Sequence, residues 1–179
     1  MDENRRILMY EVMGIPFIIL LGSLFHFTFE LSGNHAIVGV FSAVNESVWE
    51  HLKLGYWPAL AYAIFEYRYM KKSTNGFMTA KAVGIYTIPT LIIIFFYTYT
   101  VFLEDLLILD ILTFILAVII GQLISYKLLT LKRSLQTYEK LSLIPVIVLG
   151  LAFVIFTFYP PRLPIFQDPI TGGYGILHH

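Results

Sequence analysis

Apolar positions along the chain gather into five long runs, at about Ile7–Leu31, Ser47–Met70, Met78–Val101, Asp105–Leu129 and Leu141–Tyr159. Crossing a bilayer core as a helix takes about 20 residues, which each run supplies. Backbone polar groups in lipid must be satisfied within their own segment, so the runs are predicted to be helices. The polar positions inside them recur at helical intervals. Gly22, Ser23, His26 and Glu30 share one face of the first run, and Asp110, Thr113, Ala117, Gly121 and Ser125 form a stripe on the fourth. Pro16, Pro58, Pro89 and Pro145 fall within runs and predict kinks, which membrane helices tolerate.

Two segments do not span. "AIVGVFSAV", Ala36–Val44, is apolar but too short, and is expected to dip into the outer leaflet or lie at the interface. The tail 160–179, "PPRLPIFQDPITGGYGILHH", is rich in proline and glycine and is expected to be irregular. Its prolines lower the entropy lost on ordering, and Ile165 and Phe166 give it apolar area with which to fold back over the bundle. The predicted fold is all-α: one polytopic membrane helix bundle over 1–179, with about five spans, a short outer segment and an outer tail.

Composition agrees. Hydrophobic residues make up 58% of the 179 and charged residues 13%, whereas a soluble domain carries about 25% charged residues. Zero net charge, from 12 basic and 12 acidic residues, gives no nucleic-acid surface. The absence of cysteine removes disulfides, thiolate ligands and thiol nucleophiles from consideration. The first run is followed by the bulky "HFTFELSG" rather than small cleavage-site residues, so it reads as a retained span and not a signal.

Charge also predicts orientation. Arg5, Arg6, Arg68, Lys71, Lys72, Lys81, Lys127, Lys132, Arg133 and Lys140 fall on one side, and only Lys53 and Arg162 on the other. By the positive-inside rule the N-terminus is cytoplasmic and the C-terminus extracytoplasmic.

Polarity is concentrated in "FSAVNESVWEHLKLGYWPAL", which sets Asn45, Glu46, Ser47, Glu50, His51 and Lys53 close together. Ser47 and Glu50 fit a capping box at the start of the second helix. Lys53 is expected to snorkel outward, and Trp49, Tyr56 and Trp57 to sit at the interface. Capping leaves Glu46 and His51 unexplained. His26 and Glu30 lie at a similar depth on the first span, and Asp168 lies in the outer tail. Histidines and carboxylates at one depth are suited to a divalent metal such as zinc, with His26, His51 and Asp168 as ligands and Glu46 as general base. Glu30, Asn45, Glu50 and Asp110 are further candidates, Asp110 because an intramembrane carboxylate needs a partner. The competing explanation is a set of His–carboxylate hydrogen bonds that tie helices together. The small residues Ala117, Gly121 and Ser125 point to close helix packing.

"GSLFHFTFELSGNHAIVGVFSAVNESVWEHLKLGYWPAL" and "FTFYPPRLPIFQDPITGGYGI" resemble an uncharacterised family of small bacterial integral membrane proteins. The resemblance covers most of the chain and implies the bacterial cytoplasmic membrane, but no activity. The ingredients are also similar to those of intramembrane zinc hydrolases of the ceramidase and adiponectin-receptor type, although the late paired-histidine motif is missing. Three functions remain open at this level: binding or transport of an ion, small molecule or lipid headgroup; a metal-dependent intramembrane hydrolase; or a structural subunit. Lipid is the expected surrounding partner. Oligomerisation is compatible with all three, and a homomeric contact along the fourth-run stripe would favour transport.

Overall fold

The computed structural model describes residues 2–71, 74, 76–104, 106–132 and 134–176. All the predicted long helices are present: α1 (Glu3–Leu31), α3 (Val48–Met70), α4 (Phe77–Tyr99), α5 (Leu107–Leu129) and α6 (Glu139–Phe158). The segment between the first two long helices contributes a short helix, α2 (Ala36–Gly39). No described residue lies in a strand, beyond one isolated bridge between Gln167 and Tyr174. The expected span start at Asp105 and the charges of Lys72 and Arg133 fall outside the described residues, as do His178 and His179.

Among the described residues, four helices are long and apolar enough to cross a membrane: α1, α4, α5, and α6 with the 3₁₀ turn that precedes it. That is the character of a membrane protein. α3 matches them in length but carries Glu50, His51, Lys53, Glu66 and Arg68. Its position explains how this is tolerated. α3 packs against α1, α4 and α6, while α5 bridges α1 and α4. Twelve of its 23 residues are buried, against four of 20 in α6. The most polar long helix is therefore wrapped in protein, and the apolar ones turn Leu20, Ile94, Leu116, Ile147 and Leu151 outward. Intramembrane charges are stable only in that arrangement, facing the bundle interior and paired.

The core is one cluster built on Ile18, Leu52, Tyr56, Tyr62, Ile88, Val118 and Phe153, with a second around Ile7, Met70, Phe77 and Leu129. Tyr56 donates to the Val146 carbonyl at 2.6 Å and Tyr86 to that of Pro145 at 2.7 Å, so α3 and α4 both grip α6 beside its proline. The small-residue stripe of α5 is used within the chain. Gly121 lies against Gly84 of α4, where a Cβ on Gly84 would come 3.0 Å from the Gly121 carbonyl. Ala117 and Ser125 are fully buried. Taken up by α4 and α1, the stripe is no longer available as the homomeric contact that would have favoured transport.

The tail docks. Phe166 is buried against Trp49 and Phe156, with ring centroids 4.7 and 5.4 Å apart. Ile176 donates to the Thr157 carbonyl at 3.2 Å, and the Asn45 amide donates to the Gly175 carbonyl at 3.0 Å.

Candidate metal centre

Ser47 ends the loop after α2 and caps α3, its hydroxyl accepting from the Glu50 N–H at 3.4 Å. Only this half of the expected capping box forms. The Ser47 N–H is held instead by the Asn45 side chain at 2.9 Å, so Asn45 fixes both the entry to the helix and the tail. The Glu50 carboxylate turns away to accept from the Val44 N–H at 3.1 Å and to pair with Lys53. Lys53 does not snorkel. It is fully buried and donates to the Gly39 carbonyl at 2.7 Å and the Thr157 hydroxyl at 2.9 Å. The carboxylate and two further acceptors satisfy the ammonium's three protons, which offsets the cost of taking the charge out of water. Glu50 and Lys53 thus form a buried joint that fastens α3 to α6 and to the loop bearing Glu46.

That joint aims the remaining polar residues. Among the described residues, His26, Glu46 and His51 bring one ligand atom each within 4.8 Å of the others. The two histidine Nε2 atoms are 3.1 Å apart, and Glu46 Oε2 lies 3.4 Å from that of His51 and 3.7 Å from that of His26. A tetrahedral zinc with bonds of about 2.0–2.1 Å sets neighbouring ligand atoms roughly 3.3–3.4 Å apart. The three atoms are therefore spaced like one face of a zinc tetrahedron, on a partly exposed rim.

His51 is pre-set for this. Its Nδ1 lies 2.9 Å from the Ser47 carbonyl, which can only accept, so the ring proton is on Nδ1 and the Nε2 lone pair faces the other two ligands. α1 reaches α3 closely because of Gly22, where a Cβ would come 2.4 Å from the Leu54 carbonyl; His26 lies one turn further along α1. A hydrogen bond with His26 is the largest influence holding the Glu46 carboxyl well below the usual carboxylate range, so it is present as the anion a cation requires.

The other sequence candidates are distributed differently. Asp168 does not join the group: its oxygens accept from the Ile170 N–H at 2.9 Å and the Thr171 hydroxyl at 2.7 Å, closing a turn within the tail. A short polar side chain that can bond its own backbone two residues on takes that partner first. Without Asp168, Glu46 supplies the third atom of the group. Glu30 is exposed and stands outside the group. Asp110 accepts from the Tyr99 hydroxyl at 2.5 Å, joining α5 to α4.

Sequence reasoning missed a second polar centre. Lys81 pairs with Glu11 at 2.6 Å and also with Glu66, joining α4 to α1 and α3. Three charged residues inside three separate apolar runs were the available signal.

Residues 2–176 match the model of a family described as a family of unknown function (DUF6512). The chain belongs to that family. No curated protein and no solved structure matches it. Membership of this family covers nearly the whole bundle, tail included, and agrees with the resemblance seen in the sequence, but it assigns no chemistry to the His26–Glu46–His51 group.

Proposed function

We propose that this protein binds a divalent metal of the zinc class at the outer face of the bacterial cytoplasmic membrane, through His26, His51 and Glu46. The observation that carries the reading is the convergence of two imidazole nitrogens and one carboxylate oxygen at 3.1, 3.4 and 3.7 Å. A hydrogen-bonded tie between helices would need only one pair of these atoms. Two nitrogens and one oxygen suit zinc, and a three-ligand set leaves a fourth position for water, a small-molecule carboxylate or a lipid-headgroup oxygen.

Orientation rests on charge. With Lys81 and Lys53 buried, one comes off each side of the count, leaving nine basic residues against one. That asymmetry favours a cytoplasmic N-terminus and an outward-facing site.

A hydrolase is the second reading, favoured by the open fourth position. With Glu46 engaged as a ligand, the base would have to be another group. Competition of the purified protein with a chromophoric chelator for zinc tests the primary reading. Parent protein should withdraw zinc stoichiometrically, and His26→Ala and His51→Ala should each weaken binding by at least the 10- to 100-fold typical of disturbing even outer-shell partners. Equal zinc binding by parent and both variants would refute it.

A further inference from the structure

The second polar centre is deeper and drier than the first. Glu11 of α1, Glu66 of α3 and Lys81 of α4 have side chains only 2%, 0% and 6% exposed. The Ile7–Met70–Phe77 cluster lies on one side of them and the main core on the other. The groups facing the centre come from every neighbouring helix. Ser125 of α5 donates to Glu11 Oε1 at 3.1 Å, and Gln122 of α5 donates to the Glu11 backbone carbonyl at 3.1 Å. Tyr62 of α3 lies with its ring 5.9 Å from the Lys81 ammonium, and its hydroxyl is committed to the Tyr10 carbonyl at 2.7 Å.

The charges do not balance. Among the described residues, two carboxylates face one ammonium, that of Lys81, which pairs with both. Glu11 Oε2 and Glu66 Oε1 are buried without a hydrogen-bond partner among the described residues. A lone surplus anion in a membrane interior is costly, and two carboxylates held against each other do not both stay ionised. A proton on one of them cancels the surplus and supplies the missing donor. Lys81 also lines an apolar cavity of about 250 Å³ between α3, α4 and α6, together with Tyr67, Met78 and Leu143.

We propose that Glu11, Glu66 and Lys81 form an intramembrane proton-binding site that holds one exchangeable proton on its paired carboxylates at neutral pH. The bond formed is O–H on a carboxylate oxygen, the proton comes from solvent, and no electrons move. Charged residues in this setting characteristically serve proton relays. The centre is separate from the His26–Glu46–His51 group and does not depend on metal.

Infrared spectroscopy of the full-length protein in detergent at neutral pH tests this. The parent should show a protonated-carboxyl C=O stretch that shifts in D₂O, and Glu66→Gln and Glu11→Gln should each remove it, since either leaves one carboxylate balanced by Lys81. An absent band, or a band unchanged in both variants, would overturn the proposal. A band that appears only after sodium is replaced by choline would overturn it in favour of a sodium site. If neither variant folds, the parent alone decides: unfolding in weakly buffered solution at neutral pH should release one proton per chain, and no release would refute the site.

Discussion

Replacing Lys53 by Met tests whether the buried joint beneath the metal centre carries the stability its geometry implies. Lys53 is fully buried, and its ammonium serves Glu50, the Gly39 carbonyl and the Thr157 hydroxyl. Met fills much of the same volume, so the loss is mainly electrostatic. It leaves the Glu50 carboxylate inside without its cation, although Val44 still donates to it. Removing one member of a buried pair costs about 3–5 kcal/mol, chiefly for the stranded charge. Neutralising the survivor should recover most of that. In Lys53→Met/Glu50→Gln the remaining deficit is the donor lost by Gly39 and Thr157, about 1 kcal/mol each. Unfolding of parent, single and double variants in detergent, followed by circular dichroism, gives the three stabilities. The order parent, double, single is expected. A single variant as stable as the parent would mean the pair holds nothing together. A double variant no better than the single would place the loss in packing rather than in the uncompensated charge.

Three further outcomes follow from particular contacts. Gly22→Ala should cost about 1–3 kcal/mol, because its Cβ would meet the Leu54 backbone carbonyl; by spreading α1 from α3 it should also weaken zinc binding on the order of tenfold in a chelator titration, without altering a ligand. Asn45→Ala removes the bonds to Gly175 and the Ser47 N–H together, so limited proteolysis should cut within 163–175 faster than in the parent. Tyr56→Phe removes the hydroxyl bond to the Val146 carbonyl, which keeps its helix partner, and should lower stability by about 1 kcal/mol in the same denaturation assay, with zinc binding unchanged.

The helices were legible because each apolar run is longer than a soluble core helix needs, and their ends fall within a few residues of the observed ones. The two histidines and Glu46 were legible as a group because membrane depth, read from position within a run, brings residues of different helices to one level. What sequence could not supply was direction around each helix. Lys53 and Lys81 both lie near the ends of their runs, where a lysine facing outward snorkels and one facing inward needs a partner. The choice depends on Glu50 and Thr157 in one case and on Glu11 and Glu66 in the other, and in each case part of that set lies on a different helix. Asp168 was misassigned for the opposite reason. Its partners, Ile170 and Thr171, are local, and a short carboxylate satisfied within its own turn has nothing left for a distant metal.

The most direct test of the metal centre is the zinc-edge X-ray absorption spectrum of protein loaded with one equivalent of zinc, with 177–179 removed so that no terminal histidine contributes. The account predicts a low-coordinate shell at about 2.0–2.1 Å with outer-shell scattering from two imidazoles, reduced to one in His26→Ala. An all-oxygen shell without imidazole scattering, or a spectrum that His26→Ala leaves unchanged, would contradict it.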